Sequence, residues 1–178
     1  MGRVYAEIDE KLAAWIGSQQ LFFVATAPLA ADGHVNVSPK GDLSLFRILG
    51  PREVGYLDLV GSGAETIAHA RENGRIVVMF CAFEGPPRIV RLHGRATVLP
   101  PTHELVSRFE PPEHGVRSLI HVEVERIADS CGFGVPLLSF EGKRPQQAAW
   151  QQKRVRDGGF DAYIAEKNAQ SIDGLPAI

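Results

Sequence analysis

A chain of 178 residues, 44% hydrophobic and 22% charged, suits one globular domain with one core and is short for two. Its formal charge of -2 supplies no general field for nucleic acid or anionic lipid, and no apolar run approaches the roughly 20 residues of a membrane span. The opening MGRVYAEIDEKLAAWI lacks a signal-peptide core. The two cysteines, Cys81 and Cys131, lie far apart with no metal-binding spacing around them, so reduced thiols in a cytoplasmic protein without a metal centre are expected.

Ile8, Leu12, Trp15 and Ile16 recur at helical spacing and predict an amphipathic helix over 6–17. LFFVATA, residues 21–27, reads as an apolar strand. Asp32-Gly33 is a turn signal and His34-Val35-Asn36-Val37-Ser38 alternates, so the two segments predict a β-hairpin with a loose loop. A strand over 54–59 runs into Gly61. AETIAHAREN, residues 64–73, predicts a short helix closed by Asn73-Gly74. Residues 76–83 read as a strand buried on both faces, broken at Glu84-Gly85-Pro86-Pro87, with 88–99 as its hairpin partner. Residues 102–109 are expected to be helical with Thr102 as N-cap, 120–125 to be a half-exposed strand, and 146–168 to be a polar helix containing Trp150. Short strands dominate, and one helix alone stands between strands. This order predicts a mainly β fold, an antiparallel barrel with peripheral helices, and excludes a doubly wound parallel sheet. The barrel is expected over 1–138, with 139–178 a helical tail packed on it.

Two stretches carry anion chemistry. In HVNVSPKG, residues 34–41, Pro39 fixes the backbone before Lys40 and Gly41 permits close approach, so Lys40 reads as a point charge for a phosphate or as an exposed turn lysine. In GSGAET, residues 61–66, a glycine turn joins a strand to a helix. With Glu84 21 residues after Gly63, it approaches a dinucleotide fingerprint, but Thr66 replaces the third glycine and the strand-helix-strand run is missing. The other readings are a turn in which Ser62 or Thr66 caps the helix, or a single phosphate held by backbone amides and those hydroxyls, with Glu65 opposing an anion there. Arg91, His93 and Arg95 share a strand face at period two, with Arg88 just before. They read as a solvated face, an anion site, or partners for the acids of 122–125. Cys131, in SCGFGVP, has no sequence neighbour to lower its pKa, but the glycines around it let the backbone lie against a flat ring. Trp150 reads as an anchor for the tail, a lid over a cofactor, or a dimer contact.

The runs FFVATAPLAADGHVNVSPKG and YLDLVGSGAETIAHARENGRIVVMFCAFEGPPRIVRLHGRATVL resemble the pyridoxamine 5′-phosphate oxidase-like family over roughly residues 10–130. The tail from SCGFGVPLLSFEG onward looks like a bacterial, often actinobacterial, branch. The resemblance implies a split β-barrel homodimer with FMN at the interface and oxidoreductase activity on a small molecule. It carries cofactor contacts over to Asn36, Val37, Ser38 and Lys40. In the family's oxidases a Ser-Arg-Lys run clamps the phosphate where this chain reads Ala64-Glu65-Thr66. Lys40, Ser62 and Thr66, with Arg88 or Arg91, are therefore expected to take over. Cys131 and Trp150 complete the expected cofactor contacts. The missing clamp leaves room for a deazaflavin coenzyme on the same fold, or for a non-catalytic flavin- or haem-binding protein. The oxidases also carry an arginine-rich C-terminal strand for the substrate phosphate, and none is visible after Ser139.

Overall fold

The computed structural model describes residues 2–178. Strands β1 (Val4–Tyr5), β2 (Phe22–Thr26), β3 (Asn36–Lys40), β4 (Phe46–Gly50), β5 (Glu53–Leu59), β6 (Arg75–Cys81), β7 (Ile89–Leu99) and β8 (Val116–Ser130) make one antiparallel sheet. Their order is β3-β2-β6-β7-β8-β5-β4, with β1 added to β8. Both expected hairpins, β2–β3 and β6–β7, form with continuous register. The sheet curls until Lys40 on the terminal strand β3 meets Asp58 on β5, close to the other end of the order. The architecture is a split antiparallel β-barrel with peripheral helices.

Alternation explains what fills it. Along β2, Phe22, Val24 and Thr26 point inward, and along β6, Ile76, Val78 and Phe80 do so. Phe22, Phe46, Tyr56 and Phe80 form an aromatic centre with ring centroids 5.3–5.9 Å apart. Helix α1 (Glu10–Gly17) closes one end of the barrel. Asp9 caps it by accepting from Leu12 N at 2.8 Å, and Ile8, Leu12 and Ile16 turn into the core. Helix α2 (Glu65–Glu72) lies between β5 and β6. It ends at Asn73, with Gly74 at φ +71°, a left-handed conformation that suits glycine. The chain's end returns to the barrel, where Ala177 is fully buried in the main core beside Leu175.

Four elements depart from expectation. Strand β4 was not foreseen, because FRILG is short, carries Arg47, and pairs with β5 through an irregularity at Ile48/Gly50 instead of an alternating run. Strand β8 runs 15 residues where six were expected. Its pairing with β7, β5 and β1 supports length that local alternation does not signal. Between Pro101 and Pro111 the chain makes a 3₁₀ turn, Glu104–Arg108, and His103 replaces Thr102 as the cap. The tail is two helices, α3 (Gln146–Arg156) and α4 (Asp161–Lys167), separated by Gly158 and Gly159 at φ +109° and +96°, angles closed to other residues at low cost. Among the described residues no helix is long and apolar enough to cross a membrane.

Candidate functional site

The alternation of β3 runs opposite to the usual sense. Its polar residues Asn36, Ser38 and Lys40 face the barrel, while Val37 faces out and is 61% exposed. Ser38 Oγ donates to Asn36 Oδ1 at 2.9 Å. Asn36 Nδ2 donates to Thr26 Oγ1 at 3.1 Å and to Thr66 Oγ1 at 3.0 Å. Thr26 Oγ1 lies 2.9 Å from Nδ1 of the fully buried His69. The hydroxyl of Thr26 thus joins Asn36 and the imidazole in one network. His69 Nε2 is buried with no partner. Burial pushes the His69 pKa down against the pull of Asp173, Glu72 and Glu65, so the ring is neutral at pH 7. Thr66, expected as a helix cap, instead turns inward to Asn36. The N-cap of α2 is Ala64, with no side-chain cap.

Below this network lies a charged one. Asp58, 1% exposed, accepts from Lys40 Nζ at 3.1 Å on one oxygen, and from Arg117 Nε at 2.8 Å and Nη2 at 2.6 Å on the other. Lys40 is 28% exposed and Arg117 6%. A β-bulge delivers Arg117. In the β5–β8 register Asp58 pairs with Ser118 and Leu59 with Val116, so Arg117 is the extra residue, re-aimed toward Asp58. Two cations on one carboxylate leave a net charge of +1. The hydroxyl of Ser118, the register partner of Asp58, is buried without a partner. Burial, together with the charge of Asp58, holds the Tyr56 pKa well above its ordinary value, so the phenol stays neutral.

The glycine loop sits on this cluster. Arg117 Nη1 donates to Gly63 O at 2.9 Å, Asn168 Nδ2 donates to Gly61 O at 3.0 Å, and Val60 N donates to Gly115 O at 2.8 Å. Ser62 is exposed at its tip. The fold thus brings Asn36, Ser38, Lys40 and Thr66 to one place, with Ser62 on the adjoining loop. Of these, Lys40, the loop and the uncapped α2 terminus have the donor chemistry of an anion site.

The remaining candidates have other partners. Arg88 donates to Tyr5 Oη at 2.6 Å, pairs with Asp129 at 3.2 Å and lies 4.8 Å from the Trp15 ring centroid, so it ties β1 and α1 to the barrel. Burial of Asp129 opposes its ionisation, but bonds from Tyr5 and Arg3 N and the Arg88 charge outweigh it and hold the carboxyl below its usual range. Arg91 falls in the row Pro39–Phe23–Met79–Arg91, on the opposite sheet face from Lys40, and donates to Ser130 Oγ at 3.1 Å. Arg95 pairs with Glu125 at 3.1 Å, one of the alternatives for that strand. Cys131 is an exposed thiol and Cys81 a buried one. Burial pushes the Cys81 pKa up, opposed by Arg91. Trp150 packs within the tail against Tyr163 and Phe160, with centroids 5.1 and 5.9 Å away. The outer sheet face keeps Val35 70% exposed beside the half-buried Phe23, Ala25 and Val77.

Sequence reasoning missed Asp58, Arg117, Thr26 and His69. One signal was present: a lone acid inside the apolar strand YLDLV has to find a cation once buried.

Comparisons with known proteins agree with this architecture. The profile of the family described as "Pyridoxamine 5'-phosphate oxidase" matches residues 8–131. An Aspergillus flavus protein described as "Pyridoxamine 5'-phosphate oxidase family protein ustO" is 38% identical over 192 aligned positions, covering 98% of this chain and 77% of that one. That match runs through the tail, which the profile leaves out, so the tail is shared with a fungal protein. Among solved structures, Group A Streptococcus HupZ superposes with a TM-score of 0.57 at 22% identity, over 74% of this chain and 99% of its own. An FMN-binding protein from Syntrophomonas wolfei gives 0.53 at 16% identity, over 73% and 87%. At these identities the two structures establish the fold.

Proposed function

The chain belongs to the pyridoxamine 5′-phosphate oxidase family, and we propose that it is an oxidoreductase that binds FMN between two copies of itself and acts on a small organic molecule. One observation carries this reading. Lys40, Asp58 and Arg117 leave an excess of one positive charge beneath the Gly61–Ala64 loop, carried at the partly exposed Lys40, where an anion can reach it. A phosphate monoester at the uncapped start of α2 supplies that anion.

In this reading Lys40 is the point charge on the phosphate. Arg117 acts through the loop it holds, and Ser62 with the loop backbone supplies further donors. Thr66, Asn36 and Ser38 keep the adjoining strand rigid and polar on its inner side. Val37 and Val35 offer the flat ring an apolar surface on the outer side, and a second copy seated there accounts for their exposure. Cys131 and Arg91 reach such a ligand from the second copy, and Trp150 reaches it from the tail. Arg88, taken up by Asp129 and Tyr5, has no part in it. Bound FMN supplies the hydride chemistry, and the protein contributes binding, orientation and exclusion of water. The tail is helical where the oxidases carry an arginine-rich strand, so pyridoxamine phosphate itself is not the proposed substrate.

Lys40→Ala should weaken FMN binding by about 1.5–3 kcal/mol, the worth of a charge-assisted contact, and leave riboflavin binding unchanged. Fluorescence-quenching titrations of both flavins test it. An equal loss for both flavins, or no loss for FMN, would move the phosphate away from Lys40.

A further inference from the structure

The residue after the α2 N-cap, Glu65, is a carboxylate where an anion site needs none. It is half-buried and folds back over the glycine loop: a Cβ built on Gly63 would lie 2.4 Å from Glu65 Oε2. Gly63 thus leaves room for this carboxylate, and the helix start that lacks a side-chain cap carries it instead. The tail holds it there. Ile172 N donates to Glu65 Oε1 at 3.3 Å, and the next residue, Asp173, is fixed by His34, whose backbone N donates to it at 2.8 Å and whose Nδ1 pairs with it at 2.6 Å. Asn168, fully buried, donates to Gly61 O from the same tail, and its Oδ1 is buried without a partner. Loop 61–65 is therefore bracketed by two tail residues, and the pair closes on a carboxylate.

We propose that Glu65 occupies the anion subsite of the glycine loop and competes with a ligand's phosphate for it, so that this residue and the tail behind it set how far the site prefers FMN over riboflavin. The inference rests on the reading that the loop takes a flavin phosphate. Its physics is simple. A carboxylate and a phosphate dianion a few ångströms apart at a half-exposed site repel enough to cost roughly ten-fold in affinity or more. The phosphate gains the loop when Glu65 swings out, and Ile172 N then loses its acceptor. Ligand binding and tail docking become coupled through one side chain.

The test is titration of FMN and riboflavin into the full chain and into Glu65→Gln, with Glu65→Asp as a shorter carboxylate and Glu110→Gln as a distant charge control. Glu65→Gln should raise FMN affinity about ten-fold and leave riboflavin within two-fold, while Glu110→Gln moves neither. Glu65→Asp, which keeps the charge but reaches less far over Gly63, should fall between. In the unsubstituted chain FMN, and not riboflavin, should speed amide hydrogen exchange at Ile172. An unchanged FMN-to-riboflavin ratio in Glu65→Gln, with both flavins bound, overturns the role of Glu65 and leaves the flavin reading standing. If neither flavin binds any of the four proteins, the flavin reading falls and takes this inference with it.

Discussion

Arg117→Met should destabilise the fold by about 3–5 kcal/mol, the range for removing one partner of a buried ion pair. Methionine fills much the same volume, so packing is nearly preserved and the loss reports charge and hydrogen bonding. Asp58 would stay 1% exposed with two bonds gone from one oxygen, and Gly63 O would lose its donor. Lys40 cannot replace the arginine. It already serves the other oxygen, and its single ammonium lacks the planar fork that meets a carboxylate oxygen with two N–H groups. Urea unfolding at fixed protein concentration measures the effect. The paired variant Asp58→Leu/Arg117→Met should recover more than half of the loss, because no buried carboxylate is then left exposed to its own desolvation. A loss below about 1 kcal/mol in the single variant would mean that Asp58 is solvated in solution.

Phe22→Ala should cost a similar amount, about 3–5 kcal/mol, for a different reason. Phe22 is buried and its ring touches Phe46, Tyr56 and Phe80 at centroid distances of 5.3, 5.4 and 5.9 Å. Three aromatic neighbours held by three different strands cannot all collapse into the space one ring leaves, so most of the cavity persists. Phe22 is also the register partner of Lys40, so the hole opens directly beside the proposed anion site. Phe22→Leu should cost markedly less than Phe22→Ala. By contrast Phe133→Ala, at a ring 81% exposed, should change the stability of the fold by less than about 0.5 kcal/mol. Equal losses at the two positions would contradict the placement of the core.

Much of the barrel was legible because its strands follow the period-two rule and its turns use Gly, Asn and Pro where the backbone demands them. HVNVSPKG announced an alternating strand and a cation at its end, and both are present. What alternation cannot say is which face is inside. On β3 the valines point out and the asparagine, serine and lysine point in, because the interior at this end of the barrel is a polar network and not a hydrocarbon core. The Asp58–Arg117 pair was illegible for another reason. The two residues are 59 positions apart and meet through a bulge that no local pattern encodes. Ser62 and Thr66 were both read as possible caps. The fold uses neither, since Thr66 has a better partner in Asn36 from a strand 30 residues upstream. The GSGAET turn began a helix as its glycines suggested, but its closeness to a dinucleotide fingerprint dissolves in an all-antiparallel sheet. Trp150, an aromatic in a polar segment, packs against Phe160 and Tyr163 and so joins the two short helices of the tail.

We propose that the charged cluster under the glycine loop holds a flavin phosphate. The most direct measurement is the visible absorbance of the purified full chain, followed by denaturation and mass identification of whatever small molecule is released. The account predicts a yellow protein that releases FMN, or that takes up added FMN in stoichiometric amount and prefers it to riboflavin. A colourless protein that releases no flavin and binds neither FMN nor riboflavin would contradict it.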